Sequence, residues 1–436
     1  MAVASSFDLT ALARVLDDDF DPALEERTRV TCSIFDEYER KPEGGINFIS
    51  TEEIESQRCD AAFVFFSSIF VAFASATISF SRIFIYRYFM PSPSFSSSFF
   101  FLFSSSSSSS SGLIWSFVKQ AGMHILKGGS LTQIALPVGL SEPKSFLERI
   151  AQEFACAPIF LHQAAECADP VVRMQLVIAF CLSGLWRQCL GQRKPFNPIL
   201  GETYQASFFD GTQLYMEQVS HHPPVSAWDL EARGRWRMYG AGEATASVSG
   251  NSVKCGRKGR NAIEFASDGA KLEWTLPTLQ VGGLMWGTRS MEYLGEMSFT
   301  DAKNNIEATI RFDSESKAGG WFGGGKSMPT DLLRGSIVDK KTGAEVVALQ
   351  GSWLEQLLVT DARTGATACI WDIASTRGYD VIAAPPHALV PSDSSFRSDL
   401  RALHAGNVEL AQAEKERLEQ AQRADKQMRK AAGRKH

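Results

Sequence analysis

The chain of 436 residues has room for one large domain or two of average size, and its 44% hydrophobic and 21% charged residues are ordinary for a soluble globular protein. A formal net charge of −5 argues against a general nucleic-acid binder. Eight scattered cysteines (Cys32, Cys59, Cys156, Cys167, Cys181, Cys189, Cys255, Cys369) form no CxxC pair and accompany no histidine cluster, which argues against zinc-finger spacing and predicts reduced thiols in a cytosolic protein.

The N-terminus, MAVASSFDLTALARVLDDDFD, lacks the basic start and apolar core of a secretory signal, so no export is expected. Residues 1–58 form a polar, acidic segment with one helical pattern near Leu9 to Leu16. SIFDEYE at Ser33 to Glu39 partly resembles the acidic two-phenylalanine tract that recruits an endoplasmic-reticulum receptor. Ile34 stands where its second aromatic belongs, and a solvated helix is the plainer expectation.

Residues 59–112 break the pattern. Ala61 to Ser81 (AAFVFFSSIFVAFASATISFS) is uncharged over a length that can cross a bilayer, and the stretch continues into an unbroken serine run from Ser104 to Ser111. Thirteen of the chain's 30 phenylalanines lie between Ala61 and Phe103. Phe and Ser have the most pyrimidine-rich codons, so the composition is that of a translated pyrimidine tract, as in a retained intron. A membrane anchor and a low-complexity insert are the other readings.

Order resumes at Leu113. In LIWSFVKQAGMHIL the apolar residues Leu113, Ile114, Phe117, Val118, Ala121 and Ile125 recur on one helical face, as in a core helix or a movable flap. An extended segment broken by Pro137 and Pro143 leads to a helix, and Val171 to Leu190 reads as a strongly apolar helix. From about Tyr204 to Ala383, short alternating runs separated by Gly, Asp and Asn predict many antiparallel strands in a sandwich or barrel. The last 29 residues, from Val408, read as a long helix; its eight basic and five acidic residues oppose the sign of the whole chain.

Gly320 to Ser327 (GWFGGGKS) fits the phosphate-loop pattern GxxxxGK[ST], which alone would predict a nucleotide hydrolase. That chemistry needs a strand entering the loop directly and a helix leaving it. SESKAGG intervenes before it, and Pro329 and Gly335 follow, so a hairpin loop is expected.

Three polar groups stand out. The stretch from Lys194 to Glu202 (KPFNPILGE) is a proline-stiffened turn carrying a cation and the Asn197 amide. EQVSHHPPVSAW places His221 and His222 before Pro223 and Pro224, where strand pairing must end. Lys415, Glu419 and Arg423 share one helical face. A helix-end cation, satisfied turn histidines and a solvated salt-bridge face are the bland alternatives. No GxSxG elbow accompanies the histidines, and two adjacent imidazoles are too few for a zinc site. Imidazole N–H, ammonium and amide are all donors, and a phosphate monoester with about −1.5 to −2 charge rewards their convergence.

EQVSHHPPVSAW together with KPFNPILGETY resembles the signature of the oxysterol-binding-protein-related lipid-transfer family, and the likeness runs from about Leu113 to Arg423. It is to the short type, without a pleckstrin-homology domain. The resemblance implies a β-rich α+β fold: an incomplete, many-stranded antiparallel β-barrel around an apolar lipid tunnel, with an N-terminal lid helix at Leu113, Ile114, Phe117, Val118 and Ile125. Residues 113–390 would be the lipid-binding domain and 391–436 a C-terminal helical segment. Phosphoinositide headgroup contacts fall by resemblance on Lys194, Asn197, His221, His222, Lys415, Glu419 and Arg423.

The implied function is non-enzymatic exchange of a sterol or other lipid for phosphatidylinositol 4-phosphate between membranes. No cofactor, metal or nucleic acid is expected. The protein would be cytoplasmic, touching endoplasmic-reticulum, Golgi or plasma-membrane surfaces. A phosphatidylinositol 4-phosphate sensor without net transport is the alternative.

Overall fold

The computed structural model describes residues 26–27, 29–30, 38–40, 46–48, 137–190, 194–249, 251–283, 290–312 and 330–433. The lid positions Leu113, Ile114, Phe117, Val118 and Ile125, the stretch 59–112 and the GWFGGGKS pattern lie outside them. Among the described residues no helix is long and apolar enough to cross a membrane.

The polar N-terminal segment contributes two paired strands, β1 (Tyr38–Arg40) and β2 (Ile46–Phe48). The solvated helix expected around Ser33 to Glu39 is therefore corrected at its end. A tertiary partner overrides local propensity there. β2 pairs with Ser290 and Met291, and Arg40 Nη2 donates to the buried Asp331 Oδ2 at 2.6 Å.

A 3-10 turn at Val138–Leu140 leads into β3 (Ser141–Ser145) and α1 (Phe146–Ala151). α2 (Ala157–Glu166) and α3 (Pro170–Leu185) follow. Asp169 caps α3 by accepting from the Val171 N–H at 2.8 Å, and Pro170 occupies the first turn, where its missing N–H costs nothing. The apolar helix expected to reach Leu190 gives way to a 3-10 turn at Trp186–Cys189. Gly184 faces the 3-10 turn at Gln152–Phe154 so closely that a Cβ would stand 2.5 Å from the Glu153 carbonyl oxygen. Only glycine lets α3 approach that far.

β4 (Lys194–Phe196) runs parallel to β3. Then come β5 (Thr203–Ser207), β6 (Gln213–His221), β7 (Pro224–Ala232), β8 (Trp236–Ser249) and β9 (Ser252–Phe265). β10 (Lys271–Trp274) and β11 (Thr278–Gly282) share one position between β9 and β12 (Ser290–Asp301). Pro277, which has no N–H for a ladder, lies in the break between them. β13 (Ile306–Phe312), β14 (Leu332–Asp339), β15 (Glu345–Ser352), β16 (Gln356–Asp361) and β17 (Thr367–Asp372) continue the antiparallel meander. β18 (Ile382–Ala383) returns to pair with β5.

Among the described residues, all strands except the separate parallel pair β3 and β4 join one 16-stranded sheet. Its inward residues, such as Leu214 and Met216 of β6, join the apolar faces of α1, α2 and α3 in a single core. This is the β-rich α+β class that the resemblance implies. The chain closes with α4 (Ser398–His404) and α5 (Val408–Ala431), the latter capped by Asn407 Oδ1 accepting from the Leu410 N–H at 3.0 Å. The GWFGGGKS stretch connects β13 to β14, which are antiparallel neighbours, and the described chain resumes as a turn and a strand rather than the helix a phosphate loop requires.

Candidate functional site

The histidine pair sits where β6 turns into β7. His221 faces Pro224 across the hairpin, and the His222–Pro223 peptide bond is cis. The register shifts between Gln218 and Ser220, so Val219 is an extra residue just before the pair; such bulges re-aim the side chains that follow. Side chains hold the distortion in place. Ser226 Oγ donates to the buried Gln218 Oε1 at 2.6 Å, Gln218 Nε2 donates to the Ser220 carbonyl at 2.8 Å, and Ser220 Oγ donates to the Pro223 carbonyl at 2.7 Å. The imidazole centroids stand 4.6 Å apart, edge to face.

The KPFNPILGE stretch reaches the same end of the sheet. Lys194 begins β4 rather than a turn, and Lys194 Nζ donates to Asn197 Oδ1 at 2.6 Å. The Gly201 N–H donates to the Gln218 carbonyl and the Gln218 N–H to the Glu202 carbonyl, both at 2.9 Å, so this segment is laid against β6. His221 also hydrogen-bonds the Pro198 backbone.

α5 supplies the third side. Glu419 accepts from Lys415 Nζ at 2.6 Å on Oε1 and from Arg423 Nη2 at 3.2 Å on Oε2. Lys415 is buried and Arg423 exposed, so the stripe runs from the interior to solvent.

Electrostatics ties the three sides together. Burial, then the like charge of Lys415, pushes the Lys194 ammonium down to about 8, with Glu419 and Cys255 opposing. Burial, then His222 and Lys426, pushes His221 down to about 4. His221 Nδ1 is shielded from solvent with no hydrogen-bond partner among the described residues. Two ammonium groups, an arginine, an amide and paired imidazoles are all hydrogen-bond donors, the chemistry that can complement a compact anion.

The structure brings the seven residues singled out in the sequence into neighbouring positions, from stretches more than 200 residues apart. Sequence reasoning missed Lys426, whose charge acts on His221, and Arg397, whose Nη1 donates to the Asn197 carbonyl at 3.0 Å. Lys426 stands three residues beyond Arg423 on the same helical face, and that spacing was the available signal. No group of three or more metal-ligating side chains occurs among the described residues.

A separate cleft between α3 and β9 is lined by Phe154, Phe180, Trp274 and Leu276, with Glu153 and Arg257 paired at its edge. Burial, opposed by Arg257, pushes the Glu153 carboxyl up.

A family model described as oxysterol-binding protein matches residues 114–436. Oxysterol-binding protein 9 of Dictyostelium discoideum is 36% identical over 333 residues, covering 72% of this chain and 75% of that protein. Oxysterol-binding protein-related protein 5 of Homo sapiens is 31% identical over 323 residues, covering 71% of this chain but 35% of its own length. The chain therefore spans three quarters of the first relative and about a third of the second. Among solved structures, the Osh1 ORD domain in complex with ergosterol superposes with a TM-score of 0.60 at 25% identity, covering 70% of this chain and 78% of that one. The Osh3 ORD in complex with PI(4)P from Saccharomyces cerevisiae gives 0.56 at 30% identity, covering 71% and 84%.

Proposed function

The chain belongs to the oxysterol-binding protein family, and on that footing we propose that it carries lipid between membranes, exchanging a sterol or another lipid for phosphatidylinositol 4-phosphate. The observation that carries this reading is the convergence of Lys194 and Asn197, His221 and His222, and Lys415, Glu419 and Arg423 on one end of the sheet. In this reading they bind the headgroup and its 4-phosphate. The solved relatives in complex with ergosterol and with PI(4)P support both kinds of cargo.

The physical division of labour is simple. Apolar surface removed from water inside the sheet supplies affinity at roughly 25 cal/mol per Å². The polar rim supplies selectivity, because a phosphate removed from water without donors is strongly disfavoured. No covalent bond is made or broken. Residues 113–390 bear the cargo, and 391–436 brings cations to the rim. The protein works on cytoplasmic faces of the endoplasmic reticulum, Golgi or plasma membrane as a peripheral visitor.

Transfer between two liposome populations tests the reading. The full chain is expected to move phosphatidylinositol 4-phosphate from donor to acceptor vesicles and to lose that transfer in the His221→Ala/His222→Ala double variant. Binding without transfer would make the protein a sensor instead of a carrier.

A further inference from the structure

The rim is braced by a buried ion network. Arg397 Nη1 donates to Glu202 Oε2 at 2.7 Å and to the Asn197 carbonyl at 3.0 Å. Its Nε and Nη2 grip Asp399 Oδ1 and Oδ2 at 3.0 and 2.7 Å. Glu202 is fully engaged: Oε2 also accepts from the Ile199 N–H at 2.8 Å, and Oε1 accepts from the Ser145 hydroxyl. Asp399 accepts in addition from the Leu400 N–H at 2.8 Å. Ser145 and Asp399 are 0% exposed, Glu202 4% and Arg397 9%.

Stability alone is a weak reason for such a cluster, since a well-packed apolar replacement of a buried ion pair is often neutral or better. What the guanidinium supplies is direction. Its planar fork fixes two carboxylates and a carbonyl relative to one another, which a flexible point charge cannot do. The groups it fixes are the two halves of the rim. On one side Arg397 is a single hydrogen bond from Asn197, whose Oδ1 receives Lys194 Nζ. On the other, Asp399 lies in α4, which packs on α5 through Leu400, Ala402 and Ala411; Phe196 of β4 and Val138 complete that small core. α5 carries Lys415, Glu419 and Arg423.

We propose that Arg397, acting through Glu202 and Asp399, is a positioning residue that sets the separation between the Lys194–Asn197 pair and the cations of α5; the proposal rests on the headgroup reading above. Arg397 need not touch the ligand. It orders donors that do.

The test uses the full chain, wild type, Arg397→Lys and Glu202→Gln, in flotation with phosphatidylcholine vesicles containing either phosphatidylinositol 4-phosphate or phosphatidylinositol. Thermal midpoints are recorded alongside. Lysine side-chain NMR follows the titration of Lys194. Arg397→Lys keeps the charge but not the fork, and it is expected to weaken phosphatidylinositol 4-phosphate binding about tenfold, the scale of one charge-assisted hydrogen bond. The weak background on phosphatidylinositol stays unchanged, and the Lys194 titration moves up from about 8 as Lys415 is released. Glu202→Gln, which keeps the shape and most of the fold, is expected to shift both readouts the same way by less. Wild-type binding in both variants would overturn the proposal, as would losses that only track the thermal midpoint while Lys194 titrates unmoved. If the wild type fails to discriminate the two vesicles, the headgroup reading and the positioning role fall together. If the wild type discriminates and the variants match it, only the positioning role falls.

Discussion

Burial moves the titration of both Lys194 and His221 well below their ordinary values. Lys194 titrates near 8 in the folded chain against its ordinary 10.5, so between those values the unfolded chain holds more protons. The stability contributed by this group is therefore lowest below about pH 8 and rises as pH climbs toward 10.5. In the proposed headgroup reading phosphate binding needs the ammonium, so vesicle affinity is expected to fall as pH rises through about 8, measured by flotation between pH 7 and 9. Lys194→Met should flatten that fall. His221, near 4 against 6.5, is neutral at pH 7. Its contribution to stability is present above 6.5 and is lost as pH drops toward 4, which a pH series of thermal midpoints would detect as a decline reduced in His221→Gln. In the proposed headgroup reading, removing both imidazoles at neutral pH takes away two donors to the anion. The expected loss of affinity is about 10- to 100-fold, with the thermal midpoint nearly unchanged because both rings are only half-buried.

Among the elements, α5 is docked by small residues. Ala411 is 0% exposed against Val138, Phe196, Leu400 and Ala402, and the Val138 N–H donates to Gln412 Oε1 at 3.0 Å. Ala411→Phe would overfill this core at a cost of about 1–3 kcal/mol and lift the cationic stripe from the rim. Denaturant unfolding should register the destabilisation, and vesicle binding should drop with far-ultraviolet circular dichroism intact. In the sheet, Gly335 of β14 lies so near β13 that a Cβ would stand 2.2 Å from the Thr309 carbonyl oxygen. Gly335→Ala is expected to destabilise by about 2–3 kcal/mol, more than a typical exposed strand substitution, because the neighbour is backbone and cannot rotate away.

At the scale of the molecule, residues before and after 59–112 enter the same fold: β2 pairs with β12, and α1 opens the core. We propose that 59–112 is an insertion foreign to the folded unit, arising from a retained intron. The spliced message is expected to lack its codons, and a chain without it should keep its thermal midpoint and its vesicle affinity. A midpoint that falls by many degrees would instead make the stretch part of the structure. The net +3 of the last 29 residues, set against −5 for the whole, also predicts that attraction to anionic vesicles weakens with added salt.

Much of this was legible in one dimension. Alternation with period two between Gly and Asp turns marked the strands from Tyr204 onward, since a strand with one buried face must alternate. The Pro-Pro step after His221 and His222 marked the end of pairing, and the i, i+4, i+8 spacing put Lys415, Glu419 and Arg423 on one face. The family signature then joined those stretches into a single expectation. What the sequence could not disclose was which charges are buried. Nothing in the sequence singles out Arg397 or Asp399, and Glu202 is simply the last residue of the KPFNPILGE turn. Their roles depend on neighbours brought together by strand pairing and helix docking, and desolvation, which shifts Lys194 and His221 and makes the guanidinium fork worth keeping, exists only once the surrounding chain has excluded water.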